Sequence, residues 1–342
     1  MEKFLLGTYT RNTSQGIYQV IFDDLNEQLV NVELVAKEVN PTYLAIDTNQ
    51  HLFSVSNFNH LGGVAAYSTN DIPYPNLNRV LQDGAAPCYI SVDKERNFVF
   101  SANYHTGQLQ VYQIQADGSL QLTDQVQRTG HSIHENQQSS HLHYADLTPD
   151  NRLIACDLGT DEIILYNVSN LGKVEELSTT KLPAGTGPRH LIFNPKQPDI
   201  FYVIGELTNI IYTMQYDSTN ASMTILNSTS ALPDGDNTQL GGAAIKISRD
   251  GNFLYASTRC DNAVSVFNIE PYDKLTLIQH IATNGQGPRD FALTNNDNYL
   301  IVGHQNTDCL SLFKRDRNSG LLTFLNNDCR APEVVCVLPT DN

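Results

Sequence analysis

The chain repeats one short phrase along its whole length. In each copy a Pro, Gly or Ser precedes a short apolar run, a turn, a second apolar run and a polar cluster, as in APCYISVDKERNFVFSANY from Ala86 and GPRDFALTNNDNYLIVGHQ from Gly287. The marker residues of the seven copies are spaced by 46, 53, 48, 54, 46 and 44 residues; they are Pro41, Pro87, Ser140, Pro188, Gly242, Pro288 and Pro332. A period of this length built from strand-like units is typical of a β-propeller.

Each copy contains four runs that alternate with a period of two residues, which predicts strands and not helices. After the two runs of the repeated phrase come two more, for example Gln108–Ile114 and Ser119–Val126, joined by the turn signal Asp117-Gly118. We therefore expect four antiparallel strands in each repeat, which together form one blade.

The two ends of the chain are expected to share a blade. The last copy supplies one strand, Val334–Leu338, and the N-terminus holds three strands without a repeat of their own, Lys3–Thr10, Gly16–Phe22 and Gln28–Ala36. Pairing these strands closes the ring without a long exposed sheet edge. The sequence thus predicts an all-β, seven-bladed propeller that forms a single domain over residues 1–342.

Composition narrows the range of partners. A net charge of −16 argues against nucleic acid or an anionic membrane as partner, and no apolar run has membrane-spanning length. The N-terminus lacks a secretory signal, so we expect a cytoplasmic protein that is a monomer or a weak homodimer. The six cysteines show neither a CxxC pair nor metal-type spacing, and we interpret them as buried reduced thiols.

Equivalent positions of the copies should lie at one level around the channel. The residue after each marker gives a first ring: Thr42, Cys88, His141, Arg189, Ala243, Arg289 and Glu333. The end of the next strand gives a second ring: Tyr9, Phe58, Tyr104, Leu158, Glu206, Arg259 and Gln305. Since the first and second strands are antiparallel, both rings should open on one mouth. His141, Arg189, Glu206, Arg259 and Arg289 then form either a pocket for an anionic substrate or a set of salt bridges between blades.

Several phrases resemble those of the seven-bladed lactonase family, which includes the propeller-type 6-phosphogluconolactonases and the 3-carboxymuconate cyclases. They include Gly7-Thr-Tyr-Thr, Ser140-His-Leu-His, Gly187-Pro-Arg-His-Leu, Gly205-Glu-Leu and Gly287-Pro-Arg-Asp-Phe. The resemblance spans nearly the whole chain and implies hydrolysis of a sugar-acid lactone, first of all 6-phosphogluconolactone to 6-phosphogluconate in the pentose phosphate pathway. Formation or opening of a muconolactone is the related alternative. A scaffold that binds proteins at its rim is another, although the chain has no Trp and hence no WD signature.

The resemblance assigns catalytic roles to His141, Glu206, Arg189 and Arg259. His141 or Glu206 would move protons, while the arginines would hold the developing oxyanion or a substrate anion. The chain departs from the family pattern in two places: Asn136-Gln137 replaces an Arg-Gln pair, and His304-Gln305 replaces Asn-Gln. Either change could alter the preferred substrate.

Further residues are candidates for substrate binding: Arg289, His143, Tyr9, Asn103, Tyr104, Asp157 and Gln305. Asp157 could instead cap a turn, and His190, next to Arg189, is expected to face away into blade packing. The polar stretch 130–139 could cover the mouth or be a plain surface insertion. No dense acidic set resembles a calcium site, so we expect neither a metal nor another cofactor, and an anionic lactone as the partner.

Overall fold

A computed structural model describes residues 1–233, 240–271 and 274–340. These residues form strands joined by turns and loops, in chain order β1 (Glu2–Thr8), β2 (Gly16–Asp23), β3 (Gln28–Lys37), β4 (Leu44–Ile46), β5 (His51–Phe58), β6 (Leu61–Ser68), β7 (Asn76–Asp83), β8 (Tyr89–Asp93), β9 (Phe98–Asn103), β10 (Gln108–Ile114), β11 (Leu120–Gln127), β12 (Leu142–Leu147), β13 (Leu153–Asp157), β14 (Glu162–Val168), β15 (Val174–Lys181), β16 (Pro188–Asn194), β17 (Gln197–Gly205), β18 (Ile210–Asp217), β19 (Ser222–Ser230), β20 (Gly242–Ile247), β21 (Phe253–Thr258), β22 (Ala263–Ile269), β23 (Leu275–Ala282), β24 (Pro288–Leu293), β25 (Tyr299–His304), β26 (Leu310–Arg315), β27 (Leu322–Cys329) and β28 (Val334–Pro339).

The strands make seven four-stranded antiparallel sheets, which are the blades. Six blades use four consecutive strands, from β4–β7 to β24–β27, and the closing blade has the order β28-β1-β2-β3. The pairing of β1 with β28, with Gly7 opposite Cys336, confirms that the two ends of the chain share a blade. Each innermost strand contacts the innermost strand of the next blade, including β28 with β4, so the ring is closed.

The apolar core lies between neighbouring blades. Phe53 and Val55 of β5, for instance, pack in one buried cluster with Val99 of β9 and Tyr112 of β10. Burying one such side chain contributes roughly 1.5–3 kcal/mol, so the blade faces supply most of the driving force for closure. This packing fixes the innermost strands β4, β8, β12, β16, β20, β24 and β28 around a central channel.

Candidate active site

Cross-strand pairing shows which residues lie at one level of the channel. The last residue of the second strand in each of three blades faces an equivalent residue of the innermost strand: Leu142 faces Asp157, Pro188 faces Gly205, and Pro288 faces His304. The residues one step further along β12, β16 and β24 are therefore His143, Arg189 and Arg289. The predicted alignment placed His141 at this level, and it is wrong by two residues.

The same displacement occurs where the chain ends meet. Val334 faces Thr8, so Val335 holds the position in the first ring that was predicted for Glu333. Glu333 lies before β28 with a positive φ of 49° and binds a loop instead. The second ring was aligned correctly, since Asp157, Gly205 and His304 occupy equivalent positions.

Asp157 explains why His141 stays outside the strand. Its carboxylate accepts hydrogen bonds from Ser140 Oγ at 2.6 Å, His141 N at 2.8 Å and Gly159 N at 3.0 Å. The first two bonds tie the segment before β12 to the end of β13, so that β12 begins only at Leu142, and the third caps the turn that follows β13. Asp157 thus caps a turn and orients the backbone of His141, the second of the two roles considered for it.

The His141 ring is fixed at the mouth by Tyr104. Its Nδ1 lies 2.6 Å from the Tyr104 carbonyl oxygen, and the two rings stack with centroids 4.2 Å apart at an angle of 6°. A carbonyl only accepts hydrogen bonds, so Nδ1 carries the hydrogen and a neutral His141 has its lone pair on Nε2. That nitrogen is suited to accept a proton.

Glu206 joins two arginines from different blades. Its Oε2 lies 2.8 Å from Nε of Arg189, and its Oε1 lies 3.0 Å from Nη2 of Arg259. The Arg189 N–H is poorly aligned with the oxygen, so this contact is an ion pair without a good hydrogen bond. Arg189 Nη1 instead donates to the carbonyl oxygen of Ala243 at 2.7 Å, which ties the arginine to the next blade.

The backbone keeps Glu206 and Arg259 together through Gly241. The Gly241 N–H donates to the Glu206 carbonyl at 3.0 Å, and the Gly241 carbonyl accepts from the Arg259 N–H at 2.8 Å. A Cβ at Gly241 would lie 2.6 Å from the backbone nitrogen of Cys260, which is too close for any side chain. Glycine at this position therefore allows the approach that brings the carboxylate and the guanidinium into contact.

The charges of this cluster shift one another. Burial opposes ionisation of Glu206, but Arg259 and Arg189 together hold the pKa of its carboxyl well below the usual range. Burial, with the nearby positive charge of Arg289, lowers the pKa of Arg189 to about 10. At neutral pH the cluster thus contains an ionised carboxylate and charged arginines, and its net charge is positive in a strongly acidic protein.

A cavity of about 330 Å³ opens at this mouth. Five residues predicted for the site line its wall: Tyr9, Tyr104, His143, Glu206 and Arg289. His141 contacts this wall through Tyr104, and Arg189 and Arg259 contact it through Glu206. Of the four predicted catalytic residues, Glu206 lines the cavity and the other three lie behind residues of its wall. The cavity volume is within the range of about 300–1,000 Å³ common for small-molecule sites.

Three predicted binding residues lie outside the cavity wall. Asp157 caps its turn, and Asn103 does the same by accepting hydrogen bonds from His105 N and Thr106 N, each at 3.1 Å. Gln305 is placed beside Gly287, and its Oε1 is buried without a hydrogen bond to any described residue. Its neighbour His304 is buried with Nδ1 3.1 Å from the Cys309 carbonyl oxygen.

His143 and His190 lie deeper in the channel. Burial and the positive charge of Arg189 lower the pKa values of both imidazoles well below the usual value, so they are neutral. The His190 ring is 5.3 Å from that of His143 and 5.2 Å from that of Tyr89, and it also contacts Tyr43 and Tyr144. These residues come from four different blades, so His190 faces the channel axis, and the expectation that it packs within a blade is wrong.

The stretch 130–139 is held against the site by Asp161. This carboxylate accepts hydrogen bonds from Gln137 Nε2 at 2.7 Å, Gly187 N at 2.7 Å and Gly185 N at 2.8 Å. The loop therefore packs on the residues that lead into β16. Gln137 also binds the Leu158 carbonyl, which makes the loop a support for the turn that carries His141.

The cavity wall includes residues that were given no role from sequence, among them Arg11, Thr42, Asn57, Cys88 and His105. Cys88 and Thr42 belong to the first ring and could have been selected by that ring alone. Arg11 belongs to no repeated phrase, so the periodicity gave no signal for it.

Within the described ranges, no three His, Cys, Asp or Glu side chains are grouped so as to hold a metal ion. In that same part of the chain, no helix has the length and apolar character needed to cross a membrane.

Comparison with known proteins agrees with this geometry. Residues 3–339 match the model of a family described as lactonase, 7-bladed beta-propeller. The chain belongs to this family. It is 37% identical to a protein of Bacillus subtilis (strain 168) named 6-phosphogluconolactonase, over 98% of each chain.

Solved structures show the same architecture. A Lactobacillus plantarum protein shares 44% identity with a TM-score of 0.97, over 99% of each chain. The periplasmic gluconolactonase of Pseudomonas aeruginosa shares 26% identity with a TM-score of 0.91, also over 99% of each chain. Membership in the lactonase family identifies the protein as an enzyme of the lactonase type, so the scaffold alternative is set aside.

Proposed function

We propose that this lactonase hydrolyses 6-phosphogluconolactone to 6-phosphogluconate, as a step of the pentose phosphate pathway. The observation that carries the proposal is the pairing of Arg189 and Arg259 with one carboxylate, Glu206, with the positive charge of Arg289 nearby, beside a cavity of suitable size. An excess of guanidinium charge suits a substrate that is an anion and whose carbonyl oxygen becomes more negative during reaction. The name of the B. subtilis relative supports the phosphorylated sugar lactone over a muconolactone.

His141 is proposed as the general base. Its free Nε2 would remove a proton from water as the water oxygen adds to the lactone carbonyl carbon, and would return that proton to the ring oxygen when the C–O bond breaks. Arg259 would stabilise the oxyanion. The products are one carboxylic acid, which releases its proton to solvent at neutral pH, and one hydroxyl on the opened chain, so the reaction balances with water alone.

Glu206 is proposed to position the arginines and not to accept the proton. A carboxyl whose pKa is held well below the usual range is a weak base at neutral pH. Its two oxygens instead fix Arg189 and Arg259, so that the Arg259 guanidinium is oriented before substrate arrives. The lowered pKa of Glu206 therefore favours His141 as the general base, where the sequence left both residues open.

The test is an assay of purified protein on three substrates, 6-phosphoglucono-1,5-lactone, glucono-1,5-lactone and 3-carboxymuconolactone, each with and without a chelator. The spontaneous hydrolysis rate is subtracted in every case. We expect the highest kcat/KM on the phosphorylated lactone and no effect of the chelator. A preference for 3-carboxymuconolactone, or activity lost with the chelator, contradicts the proposal.

Cytoplasmic location belongs to this proposal, because the pathway substrate is a cytoplasmic sugar phosphate. The P. aeruginosa neighbour is described as periplasmic, so family membership alone does not decide the compartment. Fractionation of the native host followed by immunodetection tests it.

A further inference from the structure

We propose that Arg11 and Arg289 form a phosphate-binding subsite at the rim of the cavity, and that Arg11 determines preference for a phosphorylated lactone. This inference rests on the proposed function. The two residues, here called the rim arginine pair, both line the cavity and both lie against Tyr9. The guanidinium carbon of Arg11 is 3.7 Å from the Tyr9 ring centroid, and that of Arg289 is 5.8 Å away.

The positive charges of the rim arginine pair are available to an anionic ligand. The two oxygens of Glu206 are taken up by Arg189 and Arg259. Across the described ranges of the chain, no carboxylate lies within ion-pair distance of Arg11 or Arg289. Two cations that share one aromatic ring repel each other, and a dianionic ligand between them would relieve that repulsion.

The loop that carries Arg11 is held in advance by Glu333. The Glu333 carboxylate accepts hydrogen bonds from four successive backbone N–H groups, those of Arg11 at 3.2 Å, Asn12 at 2.9 Å, Thr13 at 3.2 Å and Ser14 at 3.3 Å. Fixing the loop before binding reduces the entropy lost when the ligand binds. The Arg11 side chain itself is exposed, so it can adjust to the ligand.

The position of the pair fits the far end of a sugar lactone. Tyr104, which stacks on the proposed base His141, and Tyr9, on which the pair rests, line the same cavity. A substrate whose carbonyl lies near His141 and Glu206 would extend its opposite end toward Tyr9. In 6-phosphogluconolactone that end carries the phosphate, whereas in gluconolactone it carries a hydroxyl.

The experiment compares Arg11→Gln and Arg11→Lys with the wild type on 6-phosphoglucono-1,5-lactone and glucono-1,5-lactone. A lost charge-assisted contact to phosphate should lower kcat/KM for the phosphorylated lactone by roughly 10- to 100-fold, mainly through KM. For the lactone without phosphate we expect less than a twofold change. Arg11→Lys should lose less than Arg11→Gln because it keeps the charge but not the paired donors.

Arg317→Ala is the matched control. Arg317 is exposed in the turn between β26 and β27, at the opposite end of its blade, and its removal changes the net charge by the same amount. It should leave both substrates unaffected. Inorganic phosphate provides a second measurement, since it should inhibit the wild type competitively and inhibit Arg11→Gln at least about tenfold less.

The outcomes separate the two proposals. If the wild type hydrolyses none of the lactones, the proposed function fails. If the wild type hydrolyses the phosphorylated lactone but Arg11→Gln loses activity equally on both substrates, or on neither, the rim subsite is wrong and the lactonase proposal stands. An equal kcat/KM of the wild type for the two lactones also overturns the subsite.

Discussion

The two mouths of the channel differ in how their charges are balanced. At the site mouth, where the innermost strands begin, Arg189 and Arg259 pair with Glu206, and Arg289 adds a further positive charge nearby. At the far mouth, where those strands end, a cavity of about 270 Å³ is lined by residues that include Asp146 and Lys246. There Lys246 Nζ lies 3.6 Å from Asp290 Oδ1, so positive charge is met by negative charge.

Between the mouths lies a layer of aromatic rings in tilted and edge-on contact. Tyr43 and Tyr89 have centroids 4.2 Å apart, Tyr89 and Tyr144 are 4.6 Å apart, and His190 contacts all three. This layer separates the two cavities. Both mouths hold charged side chains around a cavity. The site mouth differs from the far mouth by its uncompensated positive charge and not by having a cavity.

The largest expected effect comes from removing the carboxylate that pairs with the arginines of the site mouth. Glu206→Gln should lower kcat/KM by about 1,000-fold and destabilise the protein by about 3 kcal/mol at pH 7, because breaking a buried ion pair leaves charges without a partner. The pKa of Glu206 is lowered on folding, so its contribution is fully present above its ordinary value of 4.5 and is lost as pH falls below it. Denaturant unfolding at pH 7 and pH 3 should show the difference between variant and wild type shrinking in acid.

Glu176→Gln is the control for this prediction. Glu176 is largely exposed and pairs with Arg128 at 2.6 Å on the surface, so its loss should cost less than about 1 kcal/mol and leave turnover intact. If Glu206→Gln and Glu176→Gln lose equal stability and activity, the arginines of the site mouth do not depend on Glu206, and charge balance does not distinguish the two mouths.

The next effect separates the two histidines of the site mouth. His141→Asn should reduce kcat by about 100- to 1,000-fold with little change in KM, because it removes the proposed base. His143→Asn should reduce kcat less, since His143 is buried beside the arginines and is not the proposed base. Steady-state kinetics on the phosphorylated lactone decides between them, and the reverse order of losses would make His143 the base.

At the far mouth the expected effect is on stability and not on turnover. Burial raises the pKa of Asp146 to about 6, so its contribution is present below the ordinary value of 3.8 and is lost as pH rises through about 6. The free energy of unfolding of Asp146→Asn, relative to that of the wild type, should therefore rise by about 1–2 kcal/mol between pH 4 and pH 7. This gain is smaller than for a fully buried carboxyl because Asp146 is partly exposed. Unfolding midpoints across this range test the sign, while unchanged kcat/KM shows that the far mouth takes no part in catalysis.

The fold could be predicted because the repeat period and the alternation of side chains are local signals. Strand Gln108–Ile114 was predicted with its observed bounds, and the shared closing blade followed from counting strands. The site level could not be predicted as well. Displacing an innermost strand by two residues leaves the same side chains on the same face, so the pattern fits His141 and His143 equally.

The register of β12 depends on its pairing with β13 and on the side chain of Asp157. The hydrogen bonds of Asp157 to Ser140 and His141 hold those residues outside the strand, and such bonds depend on the folded position of another strand. Arg11 was missed for a related reason, since its loop is placed by Glu333, which is more than three hundred residues away in the chain. Contacts of this kind do not follow the repeat period, so they cannot be predicted from the repeats.

The smallest predicted effect tests how the site mouth uses an aromatic ring. Tyr104→Ala should lower kcat/KM by about 2- to 10-fold, because a stacked aromatic pair contributes roughly 0.5–1.5 kcal/mol to holding the His141 ring. The hydrogen bond that His141 donates to the Tyr104 backbone carbonyl survives the substitution, so the loss reports on stacking alone. Tyr104→Phe keeps the ring and should behave like the wild type, and so should Tyr89→Phe, which alters the channel layer away from His141. If Tyr104→Phe loses as much as Tyr104→Ala, the hydroxyl and not the stacked ring is what the site mouth requires.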